Sequence, residues 1–425
     1  MLIGNGKGFL GMYNNVITQL IFAALSVYLL IDAINGFFIL SFGIDTQLSV
    51  LYKSLMLALL LVYLSLNNVK ALLVIVGLYC TLLLGEALAI LMLRSSATYM
   101  SFVVQHAVKV VTPLVLFLFL LDRYNKDDQL YLKIERVIFI NCGIFLFNIL
   151  LGWLGIGFST YGGTVSATSI GVKGFFYAGN EISALMIVFA GFYLAKSYLK
   201  SKAQFLCLVL LWLSIGFLIS TKTAILSVII LVFAIPIVLE GRRIFQFNNT
   251  PSLVFYTVLV AIASQGFLIY QAFEGTLLFN KLSFFLSRGG WVGLILSGRD
   301  QFVTVMWDYF IAAESVSSML IGNGVSYYAD HIKYSSEMDL PDMFFWHGIV
   351  GVMITLGIFM MMTFYSAANF FKQLYPYARV VFLINVLLLI ISNLSGHIFT
   401  SGMLAFLWPC FAIMAKYSPP KAASV

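Results

Sequence analysis

Apolar runs of about 17–25 residues, the length that crosses a bilayer as a helix, alternate with short polar breaks along nearly the whole chain. The pattern predicts twelve transmembrane helices, at 16–40, 48–66, 71–93, 102–121, 134–154, 181–199, 205–220, 224–239, 253–272, 343–365, 380–394 and 403–415. Runs this long argue for helices rather than a barrel, whose strands alternate in polarity and are shorter. The seventh and eighth are joined by a tight turn, Ser220-Thr221-Lys222-Thr223. The alternation stops once. Residues 274–341 carry Arg288, Arg299, Asp300, Asp308, Glu314, His331, Glu337 and Asp339. A chain whose largest polar segment lies between two late spans is expected to do its chemistry there, at one membrane face.

Within that segment, Arg299 to Ala313 has helical periodicity, with Phe302, Val303, Met306 and Phe310 on one face. Ser297 and Gly298 suit its N-terminal cap. The expectation is a helix near 299–313 lying on the membrane surface. Gly289-Gly290 and Gly322-Asn323-Gly324 read as turns. Met319 to Gly324 repeats Met1 to Gly6, but nothing around the two copies repeats, so there is no ground for an internal duplication.

Composition sharpens the class. The chain is 61% hydrophobic and 10% charged, with mean hydropathy +1.00, whereas soluble domains carry roughly 45–50% apolar and about 25% charged residues. The expected fold is therefore an all-α polytopic membrane protein, one transmembrane domain over residues 1–425 with a single large extracytoplasmic loop at 274–341. Of the 24 Lys+Arg, 15 fall on the face that holds both termini and 8 on the other, with Lys109 inside a span. Excess cations mark the cytoplasmic side, so both termini are expected in the cytoplasm and the long loop outside. The same bias accounts for the net charge of +7 without nucleic acid. Cys80, Cys142, Cys207 and Cys410 lie in apolar runs and read as buried thiols. Met1 to Tyr13 has only Lys7 and no cleavable-signal pattern, so the first span is expected to stay.

Charges in or beside spans are costly and point to function. Lys222, Arg288 and Arg299 are predicted on the outer face, where grouped cations suit an anion such as a pyrophosphate. Each also fits the alternative of snorkelling to lipid phosphates. Glu337, Asp339 and Asp342 surround Pro341 at the start of the tenth span. Acids there complement the helix dipole; three in six residues also fit a general base or sugar-binding carboxylate. His347 comes next, inside the span, as a hydrogen-bonded structural group or a proton carrier. Gly174 to Glu181 opens the sixth span, where Asn180 and Glu181 fit a helix cap or, with the neighbouring aromatics, a sugar-binding edge. Lys109, Glu86, Asp32 and Asn35 lie in spans and are expected to pair with one another. No His/Cys/Asp spacing suggests a metal site, and no cofactor is expected.

With these residues in place, the chain resembles the O-antigen polymerase and ligase superfamily of bacterial membrane glycosyltransferases. The resemblance rests on the architecture and on short matches: Gly179-Asn180-Glu181, Leu218 to Thr223, Ser297-Gly298-Arg299, Ile321-Gly322-Asn323-Gly324, and Glu337-x-Asp339 through Gly348-Ile349-Val350-Gly351. It implies a GT-C-like, metal-independent enzyme of the bacterial plasma (inner) membrane. The implied activity is polymerisation of undecaprenyl-diphosphate-linked oligosaccharide units into O-antigen, capsule or exopolysaccharide at the outer face. Membrane lipids, a chain-length regulator and a flippase are the implied partners.

The family tends to have Arg where Lys222 stands. Its ligases carry a His-Asn pair before the tenth span, where this chain has Asp339-Leu340-Pro341-Asp342, so the resemblance favours polymerase over ligase. In the implied mechanism Arg299, with Arg288 or Lys222, neutralises the departing diphosphate. A carboxylate among Glu337, Asp339 and Glu181 deprotonates the acceptor. Asn180, Glu181, Asp342 and His347 line the substrate. The rival from another class is a polysaccharide flippase or transporter, for which Lys109, Glu86 and Asp32 speak.

Overall fold

The computed structural model describes residues 5–161, 163–166, 169–246, 250–264, 271, 274, 277–313 and 316–417. The helices are α1 Asn5–Phe42, α2 Leu48–Asn67, α3 Val69–Met92, α4 Met100–Tyr124, α5 Leu130–Trp153, α6 Gly179–Lys200, α7 Lys202–Ile219, α8 Lys222–Glu240 and α9 Thr250–Ser264. They continue as α10 Leu277–Leu296, α11 Arg299–Ala312, α12 Val316–Ile321, α13 Gly324–Ala329, α14 Asp339–Asn369, α15 Pro376–Leu394 and α16 Leu404–Ala412.

Among the described residues ten helices are long and apolar enough to cross a membrane. The chain is thus a multi-pass helical membrane protein. Two of the twelve predicted spans are shorter apolar helices instead, Thr250–Val260 and Leu404–Lys416. The far end of the ninth prediction, beyond Ser264, lies almost wholly outside the described residues. The twelfth changes from α16 to a tighter 3-10 turn at Ile413–Lys416.

Hydropathy gives lengths but not facing, because helices that are apolar all round carry no stripe. Packing decides it. Helices α4, α6 and the short α16 are the enclosed ones, and the inward sides of α1, α5, α8, α14 and α15 close around them. Large apolar side chains such as Leu51, Leu73, Leu91, Phe139 and Phe147 point outward, where a bilayer would cover them. For the same reason Cys80 and Cys207, expected to be buried, are exposed; Cys142 and Cys410 are buried, and all four are free.

Contacts sort the connections into two ends. At one end Asn14 bonds Asn67, Tyr124 bonds the Lys416 carbonyl, and Arg379 bonds those of Val238 and Leu239. At the other, Ser96 bonds Asp330, Thr160 bonds the Ile219 carbonyl, and His397 donates its backbone N–H to Asp339. This second end, here the loop face, gathers the polar segment 277–338.

One element there departs from an all-α expectation. Strands β1 Phe158–Tyr161 and β2 Ile170–Gly174 pair antiparallel, Tyr161 opposite Ile170 and Ser159 opposite Val172. Glycine explains why this short stretch does not coil. Gly174 has φ +57°, and a Cβ on it would sit 2.1 Å from the Asn148 carbonyl oxygen. Asn148 then clamps the strand end, donating to the Lys173 carbonyl and accepting from the Phe175 N–H.

Helix α11 forms where periodicity puts it. Its start differs: Gly298 precedes it in the left-handed region at φ 82°, and no side chain caps it. The Ser297 hydroxyl, expected as a cap, accepts from Lys222 instead. Met306 is buried and Val303 and Phe310 pack beside it against Phe345 and Tyr328. The helix thus leans on the start of α14, with Trp307 and Ile311 left exposed.

Helix α14 is broken at Gly348, φ 64° and ψ −162°. The break fits against the Leu320-Ile321-Gly322 backbone: a Cβ on Gly348 would lie 2.3 Å from the Leu320 carbonyl carbon, and one on Gly322 2.3 Å from that of Trp346. The Met319–Gly324 copy of the hexapeptide therefore has a packing role that only glycine satisfies. Buried Glu86 holds the start of α13 just beyond it, accepting from the Val325 N–H at 2.7 Å, the Ser326 N–H at 3.3 Å and the Ser326 hydroxyl.

Candidate functional site at the loop face

Arg299 opens α11 and is mostly enclosed. One guanidinium nitrogen donates to the Leu394 carbonyl at 3.2 Å, where α15 ends; the other reaches Glu337 at 3.3 Å. Its Nε is buried and has no hydrogen-bond partner among the described residues. Lys222, first residue of α8, donates to Ser297 Oγ at 2.5 Å and to the Leu294 carbonyl. Lys281 on α10 lies 3.4 Å from the ring centroid of Tyr161 on β1. Burial and then the charge of Arg299 hold the Lys281 ammonium below the usual lysine range. Arg299 and Lys281 also act on Lys222. Three cations from α8, α10 and α11 therefore surround one spot at the loop face, with the Tyr161 ring beside them.

Arg288, expected in this group, is not brought to it. Its guanidinium lies over the Phe284 ring at 4.5 Å, on the exposed side of α10. The non-helical backbone at Gly289 and Gly290, one residue beyond it, interrupts the helix there. Lys281, about two turns earlier on the same helix and only partly exposed, takes its place. The sequence showed that lysine only as one more outer cation.

Glu337 is the acid that meets the cluster. It sits in the left-handed region at φ 63°, pairs with Lys333 at 2.5 Å and with Arg299 at 3.3 Å. Burial pushes its carboxyl up, but Lys333, Arg299 and His397 outweigh this and hold it below the usual glutamate range. A depressed carboxyl stabilises the folded state at every pH above its unfolded value, about 4.3, and that contribution fades only as pH falls through the lower folded value. Wild type should therefore exceed Glu337→Gln in thermal midpoint at pH 7, with the gap closing below about pH 4. A gap that persists at pH 3 would show that the ion pairs do not supply it.

The other two acids have structural work. Asp339 accepts the backbone N–H groups of His397, Ile398 and Phe399 at 2.8, 2.7 and 3.0 Å. Asp342 accepts Ser335 Oγ, Ser336 N–H and Ser336 Oγ at 2.6, 2.6 and 2.7 Å. Both carboxylates are buried and fix loops on either side of the site. Glu181 does the same from α6, accepting from Ser401 Oγ and the Met403 N–H. Helix α6 begins at Gly179 with Ala178 at its cap position, so Asn180, expected there, lies inside the first turn; its side chain lies outside the described residues.

His397 is the residue that sequence reading missed. It lies in the 395–403 connection between α15 and α16, in the left-handed region at φ 60°. Neighbouring Gly396 lets the loop touch Glu337: a Cβ there would sit 2.2 Å from the Glu337 carbonyl oxygen. The His397 imidazole makes no hydrogen bond among the described residues and lines a cavity of about 200 Å³ with Glu181, Asp339, Asp342, His106 and Lys109. The signal in the chain was a lone Ser395-Gly396-His397 between apolar runs, 58 residues from Asp339. Nothing local joins the two.

His347 is buried and stacks on His106 at 5.8 Å, away from the cations. The intramembrane charges pair otherwise than expected. Asp32 binds Lys53 at 2.7 Å and Ser49, Asn35 binds Thr46 and the Leu48 N–H, and Glu86 holds α13. Lys109 joins none of them.

Fold and site together define a multi-pass helical membrane protein with a cation-rich site at one face, a glutamate and a histidine beside it. No protein-family model matches the chain, and no curated protein matches its sequence significantly.

Proposed function

We propose that this protein is a membrane glycosyltransferase that joins polyprenyl-diphosphate-linked oligosaccharides, acting as a polymerase at the outer face of a bacterial plasma membrane. The grouping of Lys222 and Lys281 near Arg299, which is itself ion-paired with Glu337, with His397 beside that glutamate, supports this reading. In the reaction the bond from the donor sugar's anomeric carbon to the diphosphate oxygen breaks. The acceptor hydroxyl oxygen bonds to that carbon, its proton passes to a base, and the diphosphate carries away the electron pair. The cations stabilise the charge that develops on the leaving diphosphate. Asp339 and Asp342 are each engaged by three backbone or serine donors, which leaves His397 as the base, with Glu337 next to it. Tyr161 and exposed Tyr177 offer ring faces to sugars.

A transporter reading draws on the enclosed charges at Lys53, Asp32 and Lys109. Gel analysis of surface polysaccharide after gene deletion separates the possibilities. Loss of the long-chain ladder, with single units still transferred, is the expected result. Full-length polymer retained on its polyprenyl carrier would indicate a ligase, and units trapped on the cytoplasmic side a flippase.

A further inference from the structure

His397 borders two unlike regions. On one side is Glu337, whose carboxyl it helps to hold down, and through that glutamate Arg299 and the other cations. On the other is the cavity of about 200 Å³, lined by none of the Arg299 group. That void far exceeds the roughly 10–15 Å³ that one water needs. It lies among the first turns of α4, α6 and α14 at the loop face, and Phe102, Tyr334, His397 and Thr400 in its lining are half-buried.

Part of the lining is aromatic. Phe102 and Tyr334 meet edge-on at 5.2 Å, Tyr334 stacks with Trp346 at 6.4 Å, and His106 meets Trp346 edge-on at 4.9 Å. The Trp346 Nε1–H donates to the Tyr334 carbonyl at 2.7 Å, which fixes the indole. His106 is 5% exposed, and neither of its ring nitrogens has a hydrogen-bond partner among the described residues. The rest is mainly acidic: Glu181, Asp339 and Asp342 face a single lysine, Lys109. Hydrogen bonds hold these carboxylates without cancelling their charge. Glu181 receives both of its donors on Oε2, so its Oε1 accepts nothing among the described residues. An excess of carboxylates repels a phosphate. Ring faces beside open acceptors suit a ligand with an apolar C–H face and hydroxyl or amino donors around its edge, and a sugar ring has both.

We propose that this cavity is the subsite for the terminal sugar of the acceptor, a neutral or amino sugar, and that its carboxylates exclude a uronic or other acidic one. The assignment to the acceptor rests on the glycosyltransferase reading. The leaving diphosphate belongs with the cations, and the attacking hydroxyl belongs across the reacting carbon, where His397 joins the cavity. The test reads sugar binding rather than polymer, so it can fail or succeed apart from that reading.

The test is saturation-transfer NMR on the purified full-length protein with methyl glycosides of glucose, galactose and mannose and their amino-sugar and uronic-acid counterparts. At least one neutral or amino glycoside should bind about tenfold more tightly than the uronic acid of the same ring, because like charges are brought together in the latter. Tyr334→Leu keeps an apolar side chain and the carbonyl that holds Trp346, and should weaken that binding about fivefold. Gln105→Lys, at an exposed position in the lining, should bring the uronic acid within about threefold of its neutral counterpart. Inorganic pyrophosphate, the probe for the cation group, should not displace the glycoside. Absence of binding by every glycoside, or unchanged binding in Tyr334→Leu, overturns the subsite. Uronic acids bound as well as neutral sugars, or still rejected in Gln105→Lys, overturn the charge selection. Displacement by pyrophosphate overturns the assignment to the acceptor. Loss of long polymer on gene deletion, with no glycoside bound, would sink the subsite and leave the polymerase standing; glycoside binding with long polymer intact after deletion would sink the polymerase and the acceptor role, leaving a sugar site.

Discussion

Replacing Arg299 with alanine is expected to lower polymer formation by about two to three orders of magnitude, the usual cost of removing one donor aimed at developing charge. The basis is its position. Arg299 lies near Lys222 and Lys281, carries the link to Glu337, and has a buried Nε with no hydrogen-bond partner among the described residues. Lysine at 299 should restore only part of the activity, because a point charge cannot hold Glu337, the Leu394 carbonyl and a diphosphate oxygen together. The measurement is in vitro polymerisation of a lipid-linked repeat unit, with monodispersity and thermal midpoint recorded for each variant. The Leu394 contact anchors α15, so a modest fall in midpoint is expected as well. Normal chain length from well-folded Arg299→Ala would remove the phosphate role.

Asp339→Ala should fail differently. Three backbone N–H groups lose a buried charged acceptor at once, which costs about 3–5 kcal/mol. The 396–400 backbone, and with it His397, is released from the start of α14. Activity and thermal midpoint should fall together, and asparagine, keeping one oxygen, should recover part of both. His397→Ala should lose activity with little change in midpoint, because the His397 backbone N–H still serves Asp339. An Asp339→Ala protein as stable as wild type but inactive would mean that the carboxylate takes part in the chemistry rather than anchoring the loop.

These two variants mark how far a linear reading reaches. Arg299 was visible as a charge at the head of an amphipathic stretch inside the one long polar segment. The three acids near Pro341 were equally visible, and chemistry by residue type could not rank them. The donors that fill their lone pairs do rank them. Asp339 and Asp342 are satisfied by donors from two loops, whereas Glu337 alone meets the cations.

The same limit explains Arg288 and Lys281. Lys281 and Arg288 are about two turns apart on α10 and share a face, so only tertiary packing decides that Lys281 rather than Arg288 reaches the Arg299 group. The β1–β2 hairpin escaped because strands of four and five residues are too short to show a period. The two short spans escaped because apolar length does not say where a helix tightens or ends.

The sequence by itself determined that this chain is a multi-pass helical membrane protein and roughly where its long helices run. Those properties depend on length and hydropathy, which are local. The tertiary structure alone decided which charges meet: Lys222, Lys281 and Arg299 from three helices, and His397 against Glu337. Electrostatic pairing depends on distances between residues up to a hundred positions apart, and helices apolar on every side do not announce which face turns inward.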